Sequence, residues 1–221
     1  MPSQLKVAEP TKEKHRHGNS KVTRDEWLVA ARDNLDTKGA SDVKALPLST
    51  QLGVARSSFY WCFENRADLL QALLQEWETR NTQCIVDKCE LETESIAHSV
   101  CHFFECFLDP QLFDQGLDFA VREWSRRDAA VRLKIDEADQ IRLAALTSTF
   151  TRHGYDRVEA DGRARILYFM QLGYHALDIK ESLETRMARL EAYLLGFTGE
   201  AADRAVIDNF RRRFEGFGEA G

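Results

Sequence analysis

The sequence predicts an all-α protein, with an N-terminal three-helix helix-turn-helix domain and a larger C-terminal helical domain. Three observations support that prediction. Only four of the 221 residues are proline, apolar side chains recur at helical spacing in most segments, and no segment alternates as a strand does. We expect an arm at residues 1–20, the helix-turn-helix domain at 21–68 and the larger domain at 69–221, joined by a long helix at about 66–91.

The composition is typical of a soluble globular protein, with 43% hydrophobic and 30% charged residues. No apolar run approaches the roughly 18 residues that a membrane helix needs, so no membrane partner is expected. The first residues lack the apolar core of a signal peptide, and we therefore expect the protein in the cytoplasm. The five cysteines are expected to be thiols in that reducing compartment.

The net charge of −6 conceals an asymmetry along the chain. Residues 1–80 hold 12 basic and 11 acidic side chains, whereas the remainder holds 18 and 25. Because phosphate binding requires local positive charge, the N-terminal end is the part suited to nucleic acid. Residues 1–20 have no apolar period and are predicted to be a disordered basic arm. Either it is a solvated tail or it follows phosphates or a minor groove.

The first helix is predicted over residues 23–38. Thr23 is its N-cap, and Glu26 completes a capping box. Gly39 is suited to the position after the last turn. The side chains at the buried spacing are Trp27, Ala30, Ala31 and Leu35.

The stretch 48–63 predicts a short helix, a turn at Gly53 and a third helix that starts at Ala55 or Arg56. Pro47 is expected at the first helical position, where its missing N–H costs nothing. Leu48 and Leu52 should face inward from the short helix, and Phe59 and Phe63 from the third. The side chains left facing outward are Arg56, Ser57, Ser58, Tyr60 and Trp61. Core positions for Tyr60 and Trp61 are the alternative.

Asn65 is expected to cap a fourth helix, with Asp68 at its third position. The buried stripe of that helix is Leu69, Leu70, Leu73, Leu74 and Trp77. Three short helices with a glycine turn are the signature of a helix-turn-helix.

Residues 22–77 resemble the DNA-binding domain of the TetR family of bacterial transcriptional repressors, most clearly in LSTQLGVARSSFYWCFENRADLL. Cys62 departs from the pattern, because many members carry His there. The resemblance implies a cytoplasmic homodimer, located on the nucleoid when bound, that represses transcription at a palindromic double-stranded DNA operator and is released by a small-molecule effector. The DNA contacts that it implies are Ser49, Thr50, Ala55, Arg56, Ser57, Ser58, Tyr60, Trp61 and Arg66.

The C-terminal part predicts further helices at 95–108, 114–126, 129–150 and 200–217. The third has an apolar stripe that includes Ile141. The basic run at 211–213 is expected to be solvated. A pair of helices at 161–179 and 183–197 is predicted to form a four-helix dimer interface, although both could pack within one subunit. The interface residues would be Ile166, Met170, Gly173, Leu177, Leu183, Met187, Leu190, Leu194 and Phe197.

Aromatic walls with a few polar groups are typical of a small-molecule pocket. The candidates in the C-terminal part are His98, Phe103, Phe107, Trp124, Tyr168, Gln171, Tyr174 and His175. The same residues would also suit a helical core.

Catalysis and metal binding find little support. His98 and His102 lack the glutamate of a metalloprotease helix, and two thiols in a C-x4-C spacing lie about 140° apart around a helix. No phosphate loop or nucleophile elbow occurs. We therefore expect no enzyme, no cofactor and no metal. The alternatives are a ligand-independent DNA-binding activator and a Cys/His protein that responds to metal or redox state.

Overall fold

The computed structural model describes residues 22–215, and the predicted arm at 1–20 lies outside this range. The described residues contain eleven α-helices and no strand, so the all-α prediction is confirmed. The helices are α1 (Arg24–Lys38), α2 (Ala45–Gln51), α3 (Arg66–Trp77), α4 (Gln83–Glu90), α5 (Ile96–Leu108), α6 (Gln115–Ser125), α7 (Ala129–Arg152), α8 (Arg157–Ala176), α9 (Leu183–Ala188), α10 (Leu190–Thr198) and α11 (Arg204–Arg213). Among these residues no helix is both long and apolar enough for a membrane span.

Helix α1 has the predicted capping box. The Thr23 backbone N–H donates to Glu26 Oε2 at 2.7 Å, and Thr23 Oγ1 accepts from the Glu26 N–H at 3.3 Å. Gly39 follows the helix with a φ of 81°, a left-handed value that favours glycine. All four predicted stripe residues are buried, and Trp27 meets the edge of Phe59 with ring centroids 5.4 Å apart.

In the helix-turn-helix one local prediction is wrong, and a second is right in its starting residue but not in its helix type. Helix α2 begins at Ala45, so Pro47 is its third residue, a position where a missing N–H still costs no intrahelical bond. The third helix is a short 3₁₀ helix, Arg56–Trp61, with i→i+3 bonds such as Ser58 N to Ala55 O at 2.9 Å. The helix is only six residues long, and 3₁₀ geometry is typical of short helical segments.

The predicted long helix at 66–91 is present, but one π-helical turn, Glu78–Thr82, separates α3 from α4. The turn directs Asn81 and Thr82 into the interior. Asn81 exchanges two hydrogen bonds with the backbone of Asp114, at 2.8 and 2.9 Å. The helical backbone therefore leads from the helix-turn-helix directly into the C-terminal part.

Two apolar clusters form the core. One contains the helix-turn-helix together with Leu117 and Val121 of α6 and Val131 of α7. The other contains α5 and parts of α7, α8, α10 and α11. Helices α6 and α7 therefore anchor the helix-turn-helix to the rest of the protein.

The predicted second interface helix differs from the prediction in its length and at three of its interface residues. It is divided into α9 and α10, and its Leu190, Leu194 and Phe197 are buried in the core of the same subunit. Leu183, Met187 and Met170 also pack partly against that core. A stripe at heptad spacing has the same form whether it faces its own core or another subunit.

The predicted final helix is present as α11, although residues 216 and 217 lie outside the described range. The basic run at 211–213 is not simply solvated. Arg211 donates to the Met187 carbonyl at 3.0 Å, and Arg213 Nη1 lies 2.9 Å from Glu105 Oε1. These bonds attach α11 to α9 and α5.

Candidate nucleic-acid interface and small-molecule cleft

The aromatic side chains of the 3₁₀ helix and of Phe63 just after it are divided between the core and the surface. Phe59 and Phe63 are buried and stack with centroids 5.5 Å apart. Tyr60 is 54% exposed and Trp61 is 78% exposed. The alternative that Tyr60 and Trp61 are core residues is therefore wrong. Arg56 lies beside them, with Nη2 3.4 Å from the Tyr60 hydroxyl.

The structure corrects the role of Ser49. Its side chain is buried at 2% exposure, and its Oγ donates to the Leu46 carbonyl at 2.9 Å. A ligand as large as a phosphate cannot reach it in this conformation. Thr50 donates to the same carbonyl at 3.0 Å but is exposed.

Arg66 is engaged within the protein. Its Nε donates to the Val43 carbonyl at 2.8 Å, and its Nη2 donates to the Ala40 carbonyl at 2.5 Å. These bonds tie the start of α3 to the α1–α2 connection. Residue spacing gave no signal for this role, because the acceptors are backbone atoms 23 and 26 positions earlier.

Arg24 is a neighbour of this surface that residue patterns did not single out. Its guanidinium lies 4.9 Å above the centroid of Phe63. The Cys62 thiol lies 3.8 Å from the Val22 carbonyl, so the beginning of α1 adjoins the 3₁₀ helix. An exposed cation therefore stands next to the predicted contact residues.

A cleft of about 880 Å³ lies between the first turns of α6, the end of α8 and the loop before α9. Three of the predicted pocket residues, Gln171, Tyr174 and His175, line it together. Asp36 of α1 also lines it, so residues from the helix-turn-helix part and from the C-terminal part both border the cleft. Arg186 of α9 borders this cleft and a smaller apolar crevice beside it.

The polar groups of the cleft are tuned by contact and burial. Gln171 Nε2 and His175 Nε2 are hydrogen-bonded at 3.0 Å. Burial lowers the pKa of His175 to about 4, so the imidazole is neutral at pH 7. A hydrogen bond with Tyr193 raises the pKa of Tyr174 to about 12, with burial as the second cause.

The other predicted pocket residues do not line the cleft. His98 is exposed on α5 and stacks on His102. Trp124 packs against the N-terminal cluster and donates to Asp128 at 3.2 Å. Phe103 and Phe107 belong to the C-terminal core. The ring centroids of Phe107 and His175 are 5.4 Å apart. These corrections arise because helical spacing identifies an inward face but not what lies opposite it.

A buried charge cluster, which residue patterns did not suggest, joins α3, α6 and α7. Asp118 accepts hydrogen bonds from Trp77 Nε1 at 2.7 Å, Arg142 Nη1 at 3.0 Å and Arg122 Nε at 2.9 Å. Burial acts to raise the pKa of Asp118, but the two guanidinium groups and the hydrogen bonds outweigh it and hold that pKa well below its usual range.

Arg142 occupies a core position that was expected to hold Ile141. Its side chain is fully buried, whereas Ile141 is 45% exposed. Arg142 Nε donates to Thr82 Oγ1 at 3.1 Å, and the guanidinium lies 5.2 Å above Trp77. The available signal was spacing, because Arg142 follows Ala138 and precedes Leu146 by four residues on the buried face.

Arg122 and Tyr168 complete the cluster. Arg122 binds both oxygens of Asp139, at 3.0 and 2.7 Å, and the Tyr168 hydroxyl donates to Asp139 at 2.7 Å. The hydroxyl of Tyr168, a predicted pocket residue, is therefore used in a hydrogen bond within the protein, and Tyr168 does not line the cleft. The cluster connects α8, which borders the cleft, to the helix that leaves the helix-turn-helix.

No protein-family model matches the chain. Among solved structures, the fatty acid degradation regulator FadR from Bacillus halodurans has a TM-score of 0.57 at 19% identity, over 82% of this chain and 97% of that one. A protein from Rhodococcus described as a TetR-family transcriptional regulator has a TM-score of 0.56 at 16% identity, over 83% and 98%. AmtR from Mycobacterium smegmatis has a TM-score of 0.56 at 17% identity, over 90% and 97%. The chain therefore has the fold of TetR-family regulators along most of its length.

Proposed function

We propose that this chain is a member of the TetR family and acts as a DNA-binding transcriptional repressor in the bacterial cytoplasm. The observation that carries the proposal is the exposed surface of the 3₁₀ helix. Tyr60 and Trp61 face solvent beside Arg56. The other two aromatic residues of this segment, Phe59 and Phe63, are buried. Exposed apolar side chains grouped with a cation suit a partner with flat surfaces and negative charge.

The proposed DNA contacts are Thr50, Ala55, Arg56, Ser57, Ser58, Tyr60 and Trp61. Arg56 has the geometry to bind guanine or a phosphate. Tyr60 and Trp61 would pack on sugars, phosphates or thymine methyl groups. Arg66 holds the surface in place through its two carbonyl bonds and contributes its charge from there.

The protein is proposed to act as a homodimer through α8 and α10. Ile166 of α8 and Leu177, which caps the end of α8, are 61% and 74% exposed, and Phe169 lies exposed between them. Leu195 of α10 is also exposed. A Cβ atom added at Gly173 would meet nothing within 4 Å, so a second helix has room to approach α8 there. The dimer would place two 3₁₀ helices in successive major grooves, about 34–36 Å apart.

The cleft is the proposed site of a small-molecule effector. Its lining comes from α1 of the helix-turn-helix and from α8, so a ligand there would contact both parts of the protein. A ligand that favours one arrangement of the two parts shifts the population toward that arrangement. Release from the operator follows if the favoured arrangement has the wrong separation of recognition surfaces.

The DNA-binding proposal is tested by gel-shift titration on the DNA upstream of the protein's own gene. The double variant Arg56→Ala/Tyr60→Ala should lose binding while remaining folded and dimeric. Arg204→Ala is the matched control, because it removes one exposed positive charge from α11. Wild-type affinity in the double variant would refute the proposal.

The dimer is tested separately by light scattering after size exclusion. Ile166→Glu/Leu177→Glu should yield monomers, and Leu133→Glu, at an equally exposed apolar position of α7, should not. Both variants leave the buried core unchanged, so a monomer from the first alone identifies the interface. A dimer that survives the α8 changes would refute this interface.

A further inference from the structure

Two cysteines that are 22 positions apart meet between α4 and α5. The Cys106 thiol donates to the carbonyl oxygen of Cys84 at 3.6 Å, so the Cys106 sulfur lies against the backbone of Cys84. Within each helix the C-x4-C spacing points thiols in different directions, so the convergence comes entirely from the packing of α4 on α5. Cys84 is half-buried and Cys106 is buried.

Cys84 has the surroundings of a reactive thiol. The hydrogen bond from Cys106 lowers the pKa of Cys84 against the effect of burial, and the charge of Lys88 acts in the same direction. Lys88 follows Cys84 by one helical turn, with its Nζ held 2.5 Å from Glu105. The hydrogen bond with Cys84 and burial raise the pKa of Cys106, which favours the protonated thiol there. A thiolate is the nucleophilic form of cysteine.

Cys89 and Cys101 provide a contrast within the same two helices. Both are buried, and burial raises the pKa of each thiol to about 12. They therefore remain protonated and shielded at neutral pH. Cys62, the fifth cysteine, is half-buried beside the 3₁₀ helix. Cys62 can also react with an oxidant, so the selectivity of oxidation is measured as the rate at Cys84 relative to the rate at Cys62.

We propose that Cys84 and Cys106 form an oxidisable dithiol whose oxidant is hydrogen peroxide. The Cys84 thiolate attacks one oxygen of the O–O bond, which breaks to give a sulfenic acid and hydroxide. The Cys106 thiol then attacks the Cys84 sulfur, its proton joins the departing hydroxyl, and water leaves. Two thiols are oxidised to one disulfide, and the peroxide is reduced to water and hydroxide.

The disulfide would join the helix that continues from the helix-turn-helix to the central helix of the C-terminal core. Helix α4 follows α3 through a single π turn, so fixing α4 against α5 restricts how α3 can move relative to the core. Oxidation is therefore expected to change operator affinity by about tenfold, equivalent to 1.4 kcal/mol. This consequence rests on the proposed function, whereas formation of the disulfide does not.

The chemistry is tested on the full reduced chain with hydrogen peroxide, followed by peptide mapping without reductant. The expected product has lost two hydrogen atoms and contains one internal Cys84–Cys106 link. Cys106→Ser should accumulate a sulfenic acid at Cys84 that dimedone traps, and Cys84→Ser should react roughly tenfold more slowly. Cys89→Ser and Cys101→Ser are the matched controls and should form the link normally.

Faster oxidation of Cys62 than of Cys84, or a link between two chains in place of the internal one, would overturn the proposal. Circular dichroism of each serine variant separates lost reactivity from lost folding, and the dimedone product of Cys106→Ser tests Cys84 without requiring a disulfide. A gel shift before and after oxidation then tests the switch. An unchanged affinity with the link fully formed would overturn the regulatory role alone, and failure to bind DNA in either state would count against the proposed function instead.

Discussion

The 3₁₀ helix and the Asp118–Arg142 cluster depart from the usual distribution of side chains in opposite directions. One leaves Tyr60 and Trp61 in solvent, and the other places two charges in the core. Exposed aromatic residues cost the folded state little, so they can be kept for a partner. Buried charges destabilise the fold unless each is paired, so the helices that supply the partners must occupy fixed positions. The first region is therefore suited to contact and the second to holding the contact surface in place.

Removing one partner of the buried cluster should have the largest effect on stability. Asp118→Ala leaves Arg142 charged and without its carboxylate, and it also removes the acceptor of Trp77. We expect the free energy of unfolding to fall by about 3–5 kcal/mol, measured by urea denaturation. The double variant Asp118→Ala/Arg142→Met should lose less than the sum of the single changes. A loss below about 1 kcal/mol in Asp118→Ala would show that the cluster does not hold the helices.

Neighbouring aromatic residues should separate stability from binding. Phe59→Ala empties a core position between Trp27 and Phe63 and should cost about 3–5 kcal/mol of unfolding free energy. Tyr60→Ala should change that free energy by less than about 0.5 kcal/mol, yet weaken operator binding by about 1–3 kcal/mol in a gel shift. If Tyr60→Ala destabilises the protein as much as Phe59→Ala, the division between contact and support does not hold.

As the pH falls, the stability contribution of His175 in the cleft should be lost before that of Asp118 in the buried cluster. The pKa of His175 falls from 6.5 to about 4 in the folded protein because of burial. Between these values the unfolded chain binds more protons, so stability decreases as pH falls through this window, by at most about 3 kcal/mol. Asp118 has a depressed pKa, so its contribution is present above the unfolded value and is lost only in stronger acid. His175→Gln should flatten stability between pH 6.5 and 4, and an unchanged slope would contradict this assignment.

At Arg66 we expect a smaller loss of stability than at Asp118 or Phe59. Arg66→Lys keeps the charge but loses the paired bonds to Val43 and Ala40. The expected loss of unfolding free energy is about 1–2 kcal/mol, with a smaller change in DNA affinity than for Arg56→Lys. If Arg66→Lys weakens DNA binding as strongly as Arg56→Lys and leaves stability unchanged, Arg66 is a direct contact and the bracing role is wrong.

Residue patterns located much of the candidate DNA surface and little of the cleft. The outward position of Tyr60 and Trp61 followed from the burial of Phe59 and Phe63 on the same short segment. Ser49 could not be assigned in the same way, because its hydroxyl is captured by a carbonyl three residues earlier and its side chain is covered. The cleft residues come from α1, α6, α8 and α9, and no local spacing predicts which of these helices meet.

The sequence by itself determined where most of the helical segments lie, the capping box at Thr23, the cap at Asn65 and the inward faces around Phe59 and Phe63. These features depend on residues at most four positions apart, where backbone geometry alone decides which side chains are in contact. Only the tertiary structure decided that Arg142 is buried, that α10 faces its own core and that Cys84 meets Cys106. Each of those contacts joins residues about twenty or more positions apart, and the packing of whole helices, rather than any local preference, brings them together.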